Sequence, residues 1–129
     1  MSQKHILLVE DYPANVLVAT TLLEDFGYSY EVATSGEEAL IKIQKGAFNV
    51  ALMDVELSTA MSGFEATRRV RELEAGRTDR LPIIAMTAHA LAGDRERCLE
   101  AGMDDYISKP FDADELREKL ERFSYLRAA

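Results

Sequence analysis

Residue types that handle phosphate recur at the ends of short apolar runs. The run 6–9 ends on Glu10 and Asp11, 50–53 on Asp54, 83–86 on Thr87, and 106–107 on Ser108 and Lys109. An Asp carboxylate can attack phosphorus to form an acyl phosphate, but an anion approaching an anionic donor needs its charge neutralised first. Glu10 and Asp11, set beside Asp54, can recruit the cation that does this. Mg2+ takes oxygen ligands in octahedral geometry and keeps several waters, which suits three acids plus a main-chain carbonyl. Lys109 supplies a point charge and Thr87 a hydroxyl donor for phosphoryl oxygens, together an electrostatic clamp.

For these groups to meet, the runs must be neighbouring strands. Buried parallel strands read as near-continuous hydrophobic runs, and open α/β sheets bind ligands outside the carboxyl ends of their strands. Apolar runs of strand length alternate here with amphipathic segments of helical period. The first helical segment follows Pro13, carries Val16, Leu17, Leu22, Leu23 and Phe26, and stops at Gly27. Residues 30–33 read as a short strand. Ser35 with Glu38 makes a capping box for a helix with Ala39, Leu40 and Ile43 inward, closed by Gly46.

Val50–Asp54 is the third strand and the one expected at the centre of the sheet. After an irregular loop over 55–62, Gly63 opens a helix with Phe64, Ala66, Val70 and Leu73 on one side and Arg68, Arg69, Arg71 and Glu72 exposed. Gly76 and Pro82 bracket a linker. A strand over Ile83–Thr87 precedes a helix over Asp94–Ala101 stopped by Gly102, then a strand over Asp105–Ser108. Asp112 with Glu115 is a second capping box, starting a helix with Leu116, Leu120 and Phe123 inward. Crossovers of this length force parallel neighbours and right-handed connections. The expected fold is therefore α/β, a single doubly wound five-stranded parallel sheet with helices on both faces.

The 129 residues fit one domain over 1–129, with about twenty after Lys109 and so no output domain expected. A formal charge of -8 repels nucleic acid and anionic membrane. The lone Cys98 cannot form an internal disulfide, and no stretch approaches the roughly 18 apolar residues of a membrane span, so a cytoplasmic location is expected. Singly, each residue has an ordinary reading. Glu10 and Asp11 can cap a helix, Asp54 a turn, Lys109 can be solvated, Tyr106 strand filling, His5 a strand-edge surface residue and the Arg68, Arg69, Arg71 cluster a solvated face. The conjunction at four strand ends favours one site.

The ordered set ILLVED at 6–11, LMD at 52–54, AMTA at 85–88 and DDYISKPF ending at Phe111 resembles the receiver domains of two-component response regulators along essentially the whole chain. The stretch 85–111 is similar to receivers of hybrid histidine kinases. The resemblance implies a flavodoxin-like strand order 2-1-3-4-5, with Asp54 as phosphoacceptor. It implies Mg2+ on Asp11, Asp54 and the Glu56 main-chain carbonyl, with Glu10 acting through water. Thr87 and Lys109 would contact the phosphoryl group, Thr87 and Tyr106 would form the switch, and Lys109-Pro110 would be cis. Glu56 and His89 would adjust the acyl phosphate lifetime. The donor would be a histidine kinase or histidine phosphotransfer protein, and the face of the fourth helix, fifth strand and fifth helix would control a downstream protein.

On this reading the chain promotes its own phosphorylation and is not a turnover enzyme, binds no nucleic acid directly and enters no membrane. One departure is visible. The family usually carries proline a few residues after the acceptor, where Ser58 stands here, and 57–62 is one residue longer. The alternative is a small Mg2+-dependent phosphatase using an aspartyl phosphate, but such enzymes want a second Asp where Glu56 stands. A flavodoxin-like FMN carrier is disfavoured because Glu10 and Asp11 would repel the flavin phosphate.

Overall fold

The computed structural model describes residues 4–58, 60–77, 79–88 and 93–124. Ten elements alternate: β1 His5–Val9, α1 Pro13–Asp25, β2 Ser29–Ala33, α2 Gly36–Lys45, β3 Val50–Asp54, α3 Gly63–Glu74, β4 Ile83–Thr87, α4 Asp94–Ala101, β5 Asp105–Ser108 and α5 Ala113–Ser124. The strands form one sheet in the order β2-β1-β3-β4-β5, and every neighbouring pair is parallel.

The continuous apolar runs have the cause expected of them. Every residue of β3 and β4 is buried, because helices cover both faces of the central strands. Alternation divides the core in two. Ile6, Leu8, Leu52, Ile84, Met86 and Ile107 pack with Ala19, Leu23, Leu116 and Leu120 from α1 and α5. Leu7, Val9, Met53, Ile83 and Ala85 pack on the other face with Ala39, Ala66, Val70 and Cys98 from α2, α3 and α4. Each fully buried Leu or Ile contributes about 1.5 to 3 kcal/mol, so this double core positions the strand ends rigidly.

Local signals start and stop the helices. Ser35 Oγ accepts from the Glu38 N–H at 3.0 Å and Ser62 Oγ from the Glu65 N–H at 3.1 Å, caps that contribute about 1 kcal/mol each. Gly102 ends α4 at φ 106°, a conformation that favours glycine. Asp112 caps α5 through the Asp114 N–H rather than that of Glu115.

Five residues or boundaries depart from the sequence pattern. Leu17 is 67% exposed because it lies on the solvent face of α1 with Val18 and Thr21, and Leu73 is 42% exposed at the margin of the apolar stripe of α3. His5 is no surface ornament: its ring stacks on Phe48 at 5.0 Å, with Nδ1 2.7 Å from Ser29 Oγ and Nε2 2.9 Å from Glu31, joining β1 to β2. Arg71 is not solvated either, for its guanidinium reaches into the loops before β4 and β5. The second strand begins at Ser29, one residue earlier than its apolar pattern indicates. No helix among the described residues is long and apolar enough to cross a membrane.

Candidate functional site

The order β2-β1-β3-β4-β5 reverses direction between β1 and β3, and open sheets place ligands at such a reversal. Glu10 and Asp11 follow β1, Asp54 ends β3, Thr87 ends β4, and Lys109 follows β5, so four adjacent strands deliver the predicted residues to one edge. Glu10, Asp11 and Asp54 each offer an oxygen within 4.8 Å of the others. Glu10 and Asp11 are not helix caps. The capping position of α1 is Tyr12, whose side chain makes no cap bond, while its N–H donates to Glu10 Oε2 at 3.1 Å.

Asp54 is 2% exposed and Glu10 1%. Lys109 Nζ lies 2.9 Å from Glu10 Oε1 and 3.1 Å from Asp54 Oδ1, one ammonium between two buried carboxylates. The Glu56 N–H donates to the same Asp54 Oδ1 at 2.9 Å. Burial is the main force on Asp54 and holds its carboxyl above the usual range, with Glu10 adding to the rise and the Glu56 N–H and Lys109 opposing it. Burial alone would depress the Lys109 ammonium, but Glu10 and Asp54 outweigh it and raise its pKa. At Asp11 the Ser58 hydroxyl bond leads, and the carboxyl is lowered.

Glycine is required at one point of this edge. A Cβ at Gly63 would lie 2.1 Å from the Asp54 carbonyl oxygen, so the start of α3 packs directly on the acceptor's backbone. The loop between them folds back over the site: Ser58 donates its N–H and hydroxyl to Asp11 Oδ2. Glu56 Oε1 accepts from the Ala88 N–H at 3.0 Å, bridging the ends of β3 and β4.

Thr87 is 3% exposed, and its carbonyl accepts from the Lys109 N–H at 2.8 Å. Tyr106 of β5 pairs with Ala85 of β4 and packs half-buried on the α2, α3, α4 face, the face toward which Thr87 also projects by alternation. The Lys109-Pro110 bond is cis. His89 lies outside the described residues. Ser58 and Ala88 are contributors that the sequence did not assign. The signal for Ser58 in the sequence is its position near the place where the resembling family usually has proline.

The donor set fits a hard divalent cation: three carboxylates of hard oxygen, two of them buried, share one nearby ammonium. Comparison with known proteins agrees. The model of the response regulator receiver domain matches residues 6–121. The chain is 40% identical over 122 residues to the sensor protein GacS of Pseudomonas syringae pv. syringae, covering 94% of this chain and 13% of GacS. The receiver domain of sensor histidine kinase PA1611 from Pseudomonas aeruginosa PAO1, solved with a magnesium ion coordinated in its active site cleft, superposes with a TM-score of 0.85 at 43% identity, covering 96% of this chain and 99% of that one.

The receiver domain of Ssk1, crystallised with the Saccharomyces cerevisiae histidine phosphotransfer protein Ypd1, superposes at 0.87 with 27% identity, covering 98% and 92%. Fold, strand-end residues and family model converge: the chain belongs to the response regulator receiver domain family of two-component signalling.

Proposed function

We propose that this receiver accepts a phosphoryl group on Asp54 from a phosphohistidine donor, either a histidine kinase or a histidine phosphotransfer protein. The observation that carries the reading is the buried Asp54 carboxylate at the end of the central strand, within 3.1 Å of Lys109 Nζ and grouped with Glu10 and Asp11. An Asp54 oxygen attacks phosphorus, the P–N bond breaks, and the imidazole of the donor leaves. Asp11, Asp54 and the Glu56 carbonyl would hold Mg2+, with Glu10 beyond its waters. When bound, the ion neutralises charge between the carboxylate and the phosphoryl oxygens.

Lys109 offers a donor to one phosphoryl oxygen and the Thr87 hydroxyl to another, once they exchange their present partners. Movement of Thr87 toward the new charge would open space for Tyr106 on the face they share, biasing the α4–β5–α5 surface between two states that a downstream protein reads. The chain would thus be a signalling module rather than a turnover enzyme. The histidine phosphotransfer protein beside the Ssk1 receiver supports a donor of that kind.

The test is intact mass after incubation with acetyl phosphate. We expect one phosphoryl group added with Mg2+, none with EDTA and none on Asp54→Asn; an adduct of equal yield in all three samples overturns the proposal.

A further inference from the structure

Ser58 makes an unusual use of its position. Its N–H, at 3.0 Å, and its hydroxyl both donate to Asp11 Oδ2, across 47 residues of sequence. A carboxylate oxygen presents two lone pairs, so two donors occupy that atom and leave Oδ1 as the oxygen with capacity for a cation. Asp11 lies in the short connection between β1 and α1, outside the regular hydrogen bonding of either element. Its side chain is therefore held by this clamp, with the residue's own N–H as a further donor, and not by sheet or helix. A proline at this position could donate neither bond, having no N–H and no hydroxyl.

We propose that Ser58 is a positioning residue for the divalent cation: by holding Oδ2 it fixes the Asp11 carboxylate and presents Oδ1 to the cluster of Glu10 and Asp54. The inference rests on reading that cluster as a cation site. Hydrogen bonds that orient a ligating carboxylate change metal affinity typically by 10–100-fold when removed. Ser58 is exposed, so its replacement leaves the core untouched.

Calorimetric titration of Mg2+ into the wild type, Ser58→Ala and Ser58→Thr tests it, with thermal melts in EDTA as a check on folding. We expect saturable binding by the wild type, binding about 10-fold weaker by Ser58→Ala, and affinity close to wild type in Ser58→Thr, which keeps both donors. Equal or tighter binding by Ser58→Ala, with the wild type binding normally, overturns the role of Ser58 alone. A wild type that shows no Mg2+ binding overturns the cation-site reading and this inference together.

Discussion

The two edges of the sheet spend the same residue types differently. At the carboxyl edge Glu10, Asp11 and Asp54 cluster with Lys109 as the ammonium between two of them. At the amino edge of β4 and β5, Arg71 and Arg80 face Glu74 and Asp104 in balanced number. There Arg71 donates to the carbonyls of Gly102 and Leu81, to Glu74 at 2.8 Å and to Asp104 at 3.0 Å. The acids are filled in turn, Glu74 by the Leu81 N–H and Asp104 by the Ile83 N–H, both at 2.8 Å. A closed set of pairs ties α3 to the loops that enter β4 and β5; the anionic set, short of cations, has the charge and the hard oxygens to hold one. Charge balance distinguishes a staple from a site.

Breaking the staple should cost most. Arg71→Ala leaves Glu74 and Asp104 part-buried without their shared cation and should destabilise the domain by about 3 kcal/mol, read as a lower urea midpoint. Asp104→Asn keeps the shape but loses charge and an acceptor, for about 1.5 kcal/mol in the same assay. A loss at either position no larger than at an exposed arginine such as Arg68 would dissolve the contrast.

Neutralising an acid at the other edge should have the opposite sign. The raised folded pKa of Asp54 means that the native state binds its proton more tightly than the unfolded chain does. This group's stability is therefore fully present below its unfolded pKa of about 3.9 and is lost as pH rises through the folded value. In EDTA, Asp54→Asn should melt above the wild type at pH 7, with the gain vanishing in acid. Asp11 runs the other way: its lowered carboxyl contributes stability above its unfolded pKa that is lost as pH falls through the folded one. A lower melting temperature for Asp54→Asn at neutral pH would show that Lys109 already balances this edge.

The smallest effect is expected at the mouth of the site. The Glu56 carboxylate occupies the Ala88 N–H and adds negative charge where an anionic donor must approach. Glu56→Ala should therefore speed phosphorylation by acetyl phosphate several-fold and alter the decay rate of the adduct. Unchanged rates in both directions would make that bridge incidental.

The same contrast explains what was legible in the sequence. The carboxyl edge could be read because strand periodicity, Gly63, Gly102 and the Ser35 cap are local signals, and because each site residue stands immediately at a strand end. Arg71 could not, since its partners lie up to 33 residues away and its helical neighbours Arg68 and Arg69 are exposed. His5 likewise meets Ser29 and Glu31 only through the pairing of β1 with β2. The Ser58 bond to Asp11 is hidden for the same reason: loop conformation, unlike strand or helix, leaves no period in the sequence.

The decisive measurement is the position of the acyl phosphate. Borohydride reduction of the acetyl phosphate product, followed by peptide mass spectrometry, converts a phosphorylated aspartate to homoserine. Homoserine is expected at position 54 in the Mg2+ sample and none in the EDTA control. Homoserine at position 11 or at any other aspartate, with Asp54 unmodified, would contradict the phosphoacceptor role of Asp54.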